Sequence, residues 1–531
     1  MDSPRIPLVV GVTGHIALRE ADVPALRRAV ASELSRLKAS YPNSPVTMLT
    51  SLAAGADLLC ADVARELGIP ICAALPMEPA EYRGDFSEAD AARFDEHCAH
   101  AAWVGVAPPI ERVPEEPRRA DAYRRASVYV AANCHVLLAL WDGSAPDANR
   151  CGTGATVDIA LRGDYSPERG SVARKGPCPV VIHIFTPRGE QSERAAGEVR
   201  RLGDEAALRD MLERTEEFNR LCGEDRGEAL LTDKACSDDP ALRRMSALYG
   251  VADGLSVRFA GIYRRVLALL AAASTLLAFA FLMYDEVDAI WMILLCGAML
   301  GTALLCRGYA VRSDCHRRYI EYRALAEWLR VQAYLRYAGS RLRVTELLTW
   351  TQSQETAWIA SAVRAASIGP DAKQKHDIRA CWVDVQRDYH AGAIGRTALS
   401  LRRSDRVVRV ALVLSGSLYV LAVLFELIFG GLTPRPLSQP MDLNVCRTIL
   451  KVALGTLSTA TVFISNYYGK QSLPRKQSDH GKMAKFYAMM SSALAEYGQS
   501  EALLEQLARE ELIENGNWLS YQRDNAPDIS L

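Results

Sequence analysis

Four apolar segments of membrane length in the second half of the chain constrain its fold most. Val266–Met283 and Ala289–Cys306 each contain 18 residues without a charge, and only the string YDEVD separates them. Val410–Phe425 and Val452–Gly469 form a second pair, joined by GGLTPRPLSQPMDLN. Because roughly 20 apolar residues cover the ~30 Å core of a bilayer, the pairs predict two helical hairpins across a membrane.

The basic residues that flank these segments predict their orientation. Most lie on the sides away from the two loops: Arg264, Arg265, Arg307, Arg312, Arg402, Arg403, Arg406, Arg409, Lys470, Arg475 and Lys476. The first loop carries only the acids Asp285, Glu286 and Asp288, whereas Arg435 and Arg447 near the second loop oppose the trend. The positive-inside rule therefore predicts that both termini and the middle segment are cytoplasmic.

Composition narrows the classes of partner. The 531 residues carry a net charge of -1 with a pI near 6.8, which gives no electrostatic reason to bind a nucleic-acid polymer. The 13 cysteines include no C-x-x-C pair and no Cys/His cluster at zinc spacing, so we expect reduced thiols and no metal site. The start MDSPRIPLVVGVTGH has no basic region before a long apolar core, so we expect no cleaved signal.

Short apolar runs alternate with amphipathic stretches from Pro7 to about Thr186. The runs are typical of strands that are covered on both faces. They are Pro7–Gly14, Pro45–Ser51, Ile69–Pro76, Cys134–Trp141 and Cys178–Thr186. Helical patterns lie at Glu20–Ser40 and at Gly55–Gly68, where Gly68 is expected to cap the helix. The alternation predicts a Rossmann-like, doubly wound α/β sheet, whose ligands bind beyond the carboxyl ends of the strands.

These patterns divide the chain into six regions. They are an α/β domain at 1–190, a helical linker at 191–255, a first transmembrane hairpin at 256–311, a cytosolic helical segment at 312–405, a second transmembrane hairpin at 406–469 and a cytosolic C-terminal helical segment at 470–531. The predicted membrane domain is thus all-α with four spans. A similar string follows each hairpin, ALAEW at Ala324–Trp328 and ALAEY at Ala493–Tyr497. Helices that continue from a span into the cytosol commonly form oligomeric stalks, so we expect a homo-oligomer.

Glycines and small residues follow three of the predicted strands. The three stretches are GVTGHI (Gly11, Thr13, Gly14 and His15), TSLAAGADLLCA (Ser51, Ala54 and Gly55) and CGTGAT (Gly152, Thr153, Gly154 and Thr156). Each alone fits an ordinary tight turn, but three at one edge of a sheet favour a nucleotide site. In the third stretch a glycine turn opens a helix, whose bare N–H groups suit a phosphate.

Further polar and aromatic candidates lie close to strand ends. Asp142 and Gly143 follow the strand at Cys134–Trp141, where Asp142 either binds a ribose hydroxyl or makes an ordinary Asp-Gly turn. Tyr82 and Phe86 of EYRGDF either close over a base or anchor a surface loop. His15 is expected to donate to a phosphate or to its turn, because no Ser or Cys nucleophile is identifiable beside it.

The strings GVTGH, TSLAAGADLLCADVARELGIPICAALPM, EYRGDF and LLALWDG...CGTGATVDIAL resemble the SLOG superfamily. That superfamily includes the LOG phosphoribohydrolases, DprA-like proteins and the cytosolic N-terminal domain of TRPM channels. The resemblance covers about Pro7 to Thr186 and implies a Rossmann-like pocket for a nucleotide or nucleotide-derived signal. The membrane half resembles the SLATT effector domains that accompany nucleotide-signalling systems in bacterial conflict loci, which implies a multi-pass protein of a bacterial inner membrane.

In the LOG enzymes, a P-G-G-x-G-T-x-x-E turn supplies the phosphate cradle and a catalytic glutamate. The corresponding string here has Cys151 at the first glycine, Ala155 at the threonine and Asp158 at the glutamate. Asp158 is the candidate catalytic residue that the resemblance implies. Its side chain is one methylene shorter, and a displacement of about 1 Å costs an active site a large factor in rate. We therefore expect Gly152, Thr153 and Gly154 to bind phosphate, without hydrolysis.

Two charged residues, Glu426 and Lys451, lie within the second hairpin. Their distances from the loop predict a similar depth, where they pair, line a vestibule in an oligomer or extend separately to the interface. Hydroxyl residues in the same two segments either line a pore or pack the helices. They are Ser415, Ser417, Thr456, Ser458, Thr459 and Thr461.

Together the residues and the resemblance predict a membrane effector. A cytosolic α/β domain senses a nucleotide-derived molecule, and the membrane helices then open a pore or perturb the bilayer, in defence against phage. Two alternatives stay open. One is a membrane-anchored nucleosidase or phosphoribohydrolase that acts on NAD or a nucleoside monophosphate, and the other is a constitutive channel or scaffold whose α/β domain only assembles subunits.

Overall fold

The computed structural model describes residues 4–109, 118–145, 152–163, 165, 178–188, 194–223, 227–232, 235–236, 238–287, 289–370, 372, 375–430, 441–470 and 473–524. Cys151, Asp288 and Arg435, which the sequence arguments used, lie outside these ranges. The chain divides into two compact units. The first unit comprises Met1–Leu255, Glu321–His376 and Ser500–Trp518, and the second comprises Ser256–Ile320, Asp377–Gln499 and Leu519–Leu531.

A seven-stranded, mostly parallel sheet forms the N-terminal part of the first unit. Its strands are β1 (Leu8–Gly14), β2 (Val46–Thr50), β3 (Ile71–Leu75), β4 (Trp103–Val106), β5 (Val136–Trp141), β6 (Val180–Phe185) and β7 (Val199–Leu202). The order across the sheet is β4-β3-β2-β1-β5-β6-β7, and only β7 is antiparallel to its neighbour. Strand β1 pairs with β2 on one side and β5 on the other, so the direction of chain progression reverses at β1.

The remainder of the chain is mostly helical. The helices are α1 (Val23–Ser40), α2 (Ala56–Glu66), α3 (Pro79–Tyr82), α4 (Glu88–His100), α5 (Arg119–Asn133), α6 (Thr153–Arg162), α7 (Glu205–Leu221), α8 (Pro240–Val287), α9 (Met292–Ser313), α10 (Cys315–Tyr337), α11 (Val344–Leu347), α12 (Trp350–Glu355), α13 (Ala357–Ser367), α14 (Val385–Phe425), α15 (Met441–Lys470), α16 (Leu473–Tyr497) and α17 (Glu501–Asp524). A 3-10 turn lies at Arg83–Asp85, and π-helical segments lie at Arg379–Asp384 and Glu426–Gly430.

Five of the seven strands coincide with the apolar runs of the sequence. Strands β4 and β7 were not predicted, and β7 lies inside the stretch from 191 to 255 that the sequence indicated to be helical. Both strands have only four residues, and β7 (VRRL) carries two exposed arginines at the sheet edge. A short charged edge strand discourages pairing with other chains, but it leaves little apolar pattern to detect.

Two glycines allow the start of α2 to pack directly on the end of β1. A Cβ atom on Gly14 would lie 2.3 Å from Cβ of Ala56. Gly55 has a φ angle of +75°, and a Cβ atom there would lie 2.0 Å from the carbonyl oxygen of Ile16. The N–H of Ala56 donates to the carbonyl of His15 at 3.0 Å. Any side chain larger than hydrogen at either glycine would force strand and helix apart.

Buried arginines join the α/β part of the first unit to its later helices. Arg364 of α13 donates to the carbonyl of Ala132 near the end of α5 at 2.8 Å. Arg244 of α8 donates to the carbonyls of Ala366 and Ile368, at the end of α13. Carbonyls in the last turn of a helix lack partners within the helix and carry the negative end of its dipole, so they suit a cation.

Four helices of the structure are long and apolar enough to cross a membrane, which indicates membrane association. They overlap the four apolar segments of the sequence and run through Pro240–Val287, Met292–Tyr337, Arg379–Ile428 and Leu443–Ser465. Large apolar side chains on them stay uncovered by protein, for example Leu294 and Leu305 of α9, each 76% exposed. A lipid environment would cover such faces.

The charged side chains of the second hairpin pair differently from the expectation. Glu426 accepts from Nε of Arg447 at 2.6 Å, and Nζ of Lys451 lies 2.9 Å from a carboxylate oxygen of Glu286. Glu426 and Lys451 therefore have separate partners rather than each other. The difference arises because α15 begins at Met441, earlier than the predicted segment, so Arg447 and Lys451 lie one helical turn apart.

The hydroxyl residues of this hairpin make packing contacts. Ser415 of α14 and Thr461 of α15 are hydrogen-bonded to each other at 3.0 Å. Thr459 and Thr461 also donate to the carbonyls four residues earlier in α15, at 2.8 and 2.7 Å. These bonds satisfy three of the six hydroxyl groups, whereas the buried Oγ1 of Thr456 has no hydrogen-bond partner among the described residues.

Gly55→Ala should destabilise the protein more than Gly68→Ala does. Both glycines have positive φ angles, but a Cβ atom at Gly68 meets nothing within 4 Å. We expect Gly68→Ala to cost about 1 kcal/mol from its backbone angle, and Gly55→Ala about 2 kcal/mol more from the clash with β1. Thermal unfolding of the full-length protein in detergent measures both, and equal losses would contradict the close packing of α2 on β1.

Candidate functional site

A cavity of about 910 Å³ lies at the carboxyl ends of the parallel strands. Residues that follow β1, β2, β3 and β6 line it, together with α5 and the first turn of α6. The cavity thus lies at the end of β1, where strands β2 to β4 extend to one side of the sheet and strands β5 to β7 extend to the other. Ligands of open α/β sheets bind in this position, because the loops diverge there and leave a crevice. The volume falls in the range of small-molecule sites.

Most of the predicted site residues line this cavity. They are Thr13, Gly14, His15, Ser51, Ala54, Tyr82, Phe86, Gly152, Thr153 and Thr156. The close packing of α2 on β1 brings the first two loops together. Residues from three separate glycine-containing stretches of the sequence therefore line one cavity.

His15 is held in one orientation by its neighbours. It is 3% exposed, and Arg188 donates to its Nδ1 at 2.9 Å. Its Nε2 lies 3.3 Å from a carboxylate oxygen of Asp142. The backbone N–H of Asp142 also donates to Nε2 at 3.1 Å, so Arg188 and Asp142 together fix the position of the ring. Burial, with Arg188 adding to it, lowers the pKa of His15 and keeps the ring neutral.

Asp57, in the first turn of α2, is a buried carboxylate in the cavity lining. It is 4% exposed and accepts from the hydroxyl of Thr50 at 2.8 Å. The N–H of Ala53 lies 3.4 Å from the same oxygen. Burial raises the pKa of Asp57 to about 6, although these hydrogen bonds act in the opposite direction. Asp57 therefore anchors the loop after β2 and retains a partly uncompensated charge.

Aromatic side chains form one wall of the cavity. Tyr82 and Phe86 contact each other edge to face, with ring centroids 5.0 Å apart. Phe94 of α4 stacks on Phe86 at 5.0 Å, and Tyr123 of α5 lies 6.1 Å from Tyr82. This packing fixes the two predicted aromatics from behind, while both remain part of the lining. Tyr82 is 2% exposed, so the ring surface that a base could contact comes from the partly exposed Phe86 and Tyr123.

Arginines supply the positive charge of the lining. The cavity is lined by Arg19, Arg119 and Arg188. Arg119 at the start of α5 donates to Asp85 at 2.6 Å, and the hydroxyl of Tyr123 donates to the same carboxylate. Arg188 is 65% exposed and reaches His15 from the end of β6. The lining thus combines an apolar wall with guanidinium groups that suit phosphate oxygens.

The first turn of α6 completes the cavity. Gly152 precedes the helix with a φ angle of +92°, which only glycine adopts readily. Thr153 and Thr156 line the cavity, and the Thr156 hydroxyl donates to the Gly152 carbonyl at 3.1 Å. The helix has ten residues, and its first N–H groups carry the positive end of the helix dipole.

The other predicted residues lie outside the cavity lining. They are Gly11, Gly55, Asp142, Gly143, Gly154 and Asp158. A Cβ atom on Gly11 would lie 2.8 Å from Sγ of Cys134, so this glycine serves strand packing. Asp142 accepts from the N–H and the hydroxyl of Ser144, as in the turn interpretation, and also faces His15.

Asp158, the candidate catalytic residue, forms an ion pair on the outside of α6. One carboxylate oxygen accepts from Nε of Arg162 at 2.8 Å, and its side chain is 39% exposed. One helical turn separates the two residues, which is the usual spacing of such surface pairs. Asp158 thus lies where its carboxylate has a partner other than a ligand in the cavity.

Several lining residues have no predicted site role. Arg188 follows β6 directly, so the strand-end argument applied to that strand would have found it. Asp57 lies two residues beyond Gly55, in the same stretch of small residues after β2. Arg119 and Tyr123 come from α5, and no sequence signal connects that helix to the ends of β1 and β2. Their placement depends on the crossover between β4 and β5.

No protein-family model matches the chain, and no curated protein matches it. Within the described ranges, no group of three or more His, Cys, Asp or Glu side chains is arranged to hold a metal ion. The twelve described cysteines are all free thiols. The chemistry of the cavity therefore has to be inferred from its own lining.

The buried carboxylate of Asp57 should make stability depend on pH. The pKa in the folded protein is about 6, above the ordinary value near 3.8, so the unfolded chain ionises first. Stability is therefore greatest below the ordinary value and falls as the pH rises toward 6. Relative to Asp57→Asn, the wild type should lose about 2 kcal/mol between about pH 4.5 and 7.5.

Thermal unfolding of both full-length proteins across this pH range measures the effect. Asp158→Asn serves as the control, because that carboxylate is partly exposed and ion-paired. A wild type that shows the same pH profile as Asp57→Asn would contradict a buried, ionising Asp57.

Proposed function

We propose that this protein is a membrane effector controlled by a nucleotide or nucleotide-derived molecule that binds in the 910 Å³ cavity. One observation carries the proposal: a cavity with an aromatic wall and three arginines occurs at the strand ends of a chain that also has four membrane-length helices. The sequence resemblance to SLOG domains and SLATT effectors supports the same combination and a role in antiphage defence.

The two sides of the lining suit the two parts of a nucleotide. Phe86 offers ring surface to a base, and Tyr82 supports it from behind, with its hydroxyl kept protonated because burial raises its pKa. Arg188 and the first turn of α6 offer donors to phosphate oxygens on the side of His15. An apolar base with an attached anion would therefore satisfy both surfaces together.

Sensing fits the lining better than hydrolysis does. Among the described lining residues, the two acids already accept hydrogen bonds: Asp57 from Thr50, and Asp85 from Arg119 and Tyr123. His15 accepts from Arg188, and a general base needs a free lone pair toward the substrate or its water. Asp158 pairs with Arg162 outside the lining. The groups present are engaged in holding the cavity together.

The membrane step requires that ligand binding favours one arrangement of the chain. Helices α8 and α10 each contribute residues to both compact units, so the chain offers continuous helical connections between them. We infer an inner-membrane homo-oligomer with cytoplasmic termini, in which the ligand-bound form opens a pore or perturbs the bilayer. A ligand produces this shift only if it binds the active form more tightly.

Arg188→Glu should weaken nucleotide binding at least tenfold. The change replaces a donor beside His15 with a carboxylate that repels phosphate, and a charge-assisted hydrogen bond contributes about 1.5–3 kcal/mol. Arg162→Glu is the matched control, since Arg162 is 71% exposed on α6 and outside the lining. Binding of AMP, GMP and NAD to the full-length protein in detergent is measured by calorimetry, beside ligand-dependent dye release from liposomes.

The expected pattern is loss of binding and dye release in Arg188→Glu and retention of both in Arg162→Glu. Mass spectrometry of nucleotides released from the purified wild type covers ligands outside this panel. A wild type that binds none of the probes and releases no nucleotide would overturn the proposal. Equal affinities of wild type and Arg188→Glu would show that the ligand binds elsewhere.

Asp158→Asn should leave nucleotide binding and membrane toxicity unchanged. Its carboxylate contacts Arg162 rather than the cavity, so replacing it removes no ligand contact. If Asp158 were a general acid or base, the same change would cost at least ~10²-fold in rate. Chromatography of free base released by the full-length protein is compared with bacterial survival on induction. Base release and toxicity that disappear together in the variant would favour the nucleosidase alternative.

A further inference from the structure

A second cavity, of about 400 Å³, lies at the other end of α5 within the first unit. Tyr129 and Asn133 of α5 form one side of it. The other sides come from the end of α10 and the residues after it, from the segment after α13, and from Glu501 at the start of α17. It shares no lining residue with the first cavity.

The lining of the second cavity is strongly cationic. Among the residues that the structure describes, its lining has one carboxylate, that of Glu501, and four cationic side chains, those of Arg336, Arg341, Arg343 and Lys375. Glu501 already accepts from the hydroxyl of Ser340 at 2.7 Å. Two more acids lie near the lining: Asp239 pairs with Arg336 at 2.6 Å, and Glu346 lies 3.9 Å from Arg343. In the described part of the lining, cationic side chains outnumber carboxylates.

Two of the guanidinium groups are held in fixed positions. Arg336 is 11% exposed and donates to the carbonyl of Pro370 at 2.6 Å as well as to Asp239. Arg343 lies over the ring of Tyr129 and donates to the side-chain oxygen of Asn133 at 3.3 Å. A guanidinium that is already oriented loses less conformational entropy when it binds an anion.

The loop that carries Arg341 and Arg343 is also fixed. Gln332 of α10 accepts from the N–H of Val344 at 2.9 Å and donates to the carbonyl of Leu342 at 3.3 Å. Both ends of this amide therefore bind backbone groups on either side of Arg343. The cavity is formed by anchored polar groups rather than by a set of unconstrained surface side chains.

Buried arginines behind the lining increase the positive potential. Arg244 and Arg364 donate to neutral carbonyl groups. Burial is the main cause that lowers the pKa of both, and the charges of Arg336 and Arg343 lower them further. Cations that repel one another in a poorly solvated region are stabilised when an anion binds among them.

We propose that this second cavity binds a small phosphorylated molecule no larger than a mononucleotide. Guanidinium groups in fixed positions match the oxygens of phosphate better than they match a monovalent anion such as chloride, because they donate in pairs. The volume of about 400 Å³ matches pyrophosphate or a nucleoside monophosphate better than a dinucleotide. Binding in the second cavity does not require the ligand proposed for the first cavity.

The test uses inorganic pyrophosphate, without divalent cations, and the full-length protein in detergent. Calorimetry compares wild type with the double variant Arg341→Gln/Lys375→Gln, which changes two exposed residues and leaves the anchored arginines in place. Arg28→Gln/Lys38→Gln is the matched control, because both residues are exposed on α1 and outside both cavities. Arg188→Glu reports on the first cavity. Thermal unfolding without ligand checks that each variant is folded.

Wild type should bind pyrophosphate, with affinity that falls as salt rises, and the double variant should bind at least tenfold more weakly. The control should stay within about threefold of wild type, and Arg188→Glu should retain the pyrophosphate binding that the double variant loses. Absence of binding to wild type, or equal affinity in the folded double variant, would overturn the proposal. Loss of pyrophosphate binding in Arg188→Glu alone would assign the anion to the first cavity and leave the second without a ligand.

Discussion

The close approach of β1 and α2 is the contact on which the first cavity depends. Gly14 faces Ala56, and Gly55 faces the carbonyl groups of His15 and Ile16, at distances that leave no room for a Cβ atom. The loops after β1 and β2 consequently meet at one point of the sheet edge, and His15 and Asp57 both belong to the cavity lining. A wider separation would open the floor of the cavity to solvent and remove the burial that raises the pKa of Asp57.

A second constraint is the set of buried arginines around the end of α5. Arg364 binds the last turn of α5, and Arg244 binds the last turn of α13. These side chains use helix carbonyls, which have no partner within their own helices, so each contact satisfies a group that would otherwise be buried without a hydrogen bond. The α/β part and the helices from 321 to 376 consequently form one compact unit rather than two linked domains.

Local sequence patterns predicted the strands and helix ends whose structure depends on the residues within them. Buried parallel strands need runs of apolar residues, so β1 to β3, β5 and β6 were visible, and Gly68 has the positive φ angle expected just after α2. Four-residue strands such as β7 carry too few residues for a pattern. Contacts between distant residues were not accessible either. Examples are the pairing of Lys451 with Glu286, which lies in the other hairpin, and the docking of residues 321–376 on α5.

The lining of the first cavity likewise contains residues that local sequence patterns predict and residues whose position depends on distant contacts. Close approach of backbone segments at strand ends requires glycines and small residues, and this pattern in the sequence predicted that Thr13, Ser51 and Gly152 lie near one another. The charge and shape of the lining come from elsewhere in the chain. Arg119 and Tyr123 belong to a helix that the sheet crossover places there, so their part in the site follows only from the whole topology.

Helix α5 connects the two cavities physically. It has 15 residues and a length of about 22 Å, with Tyr123 and Val130 in the lining of the first cavity and Tyr129 and Asn133 in that of the second. Tyr129 and Val130 are adjacent in sequence and serve different cavities, so a rotation or shift of the helix changes both linings at once. If each cavity binds its ligand, any such movement makes the affinity of one cavity depend on whether the other is occupied. Each ligand must then change the affinity for the other by the same factor. A ligand in the first cavity that draws Arg119 from Asp85 would act on the start of the same helix whose end holds Arg343 through Asn133.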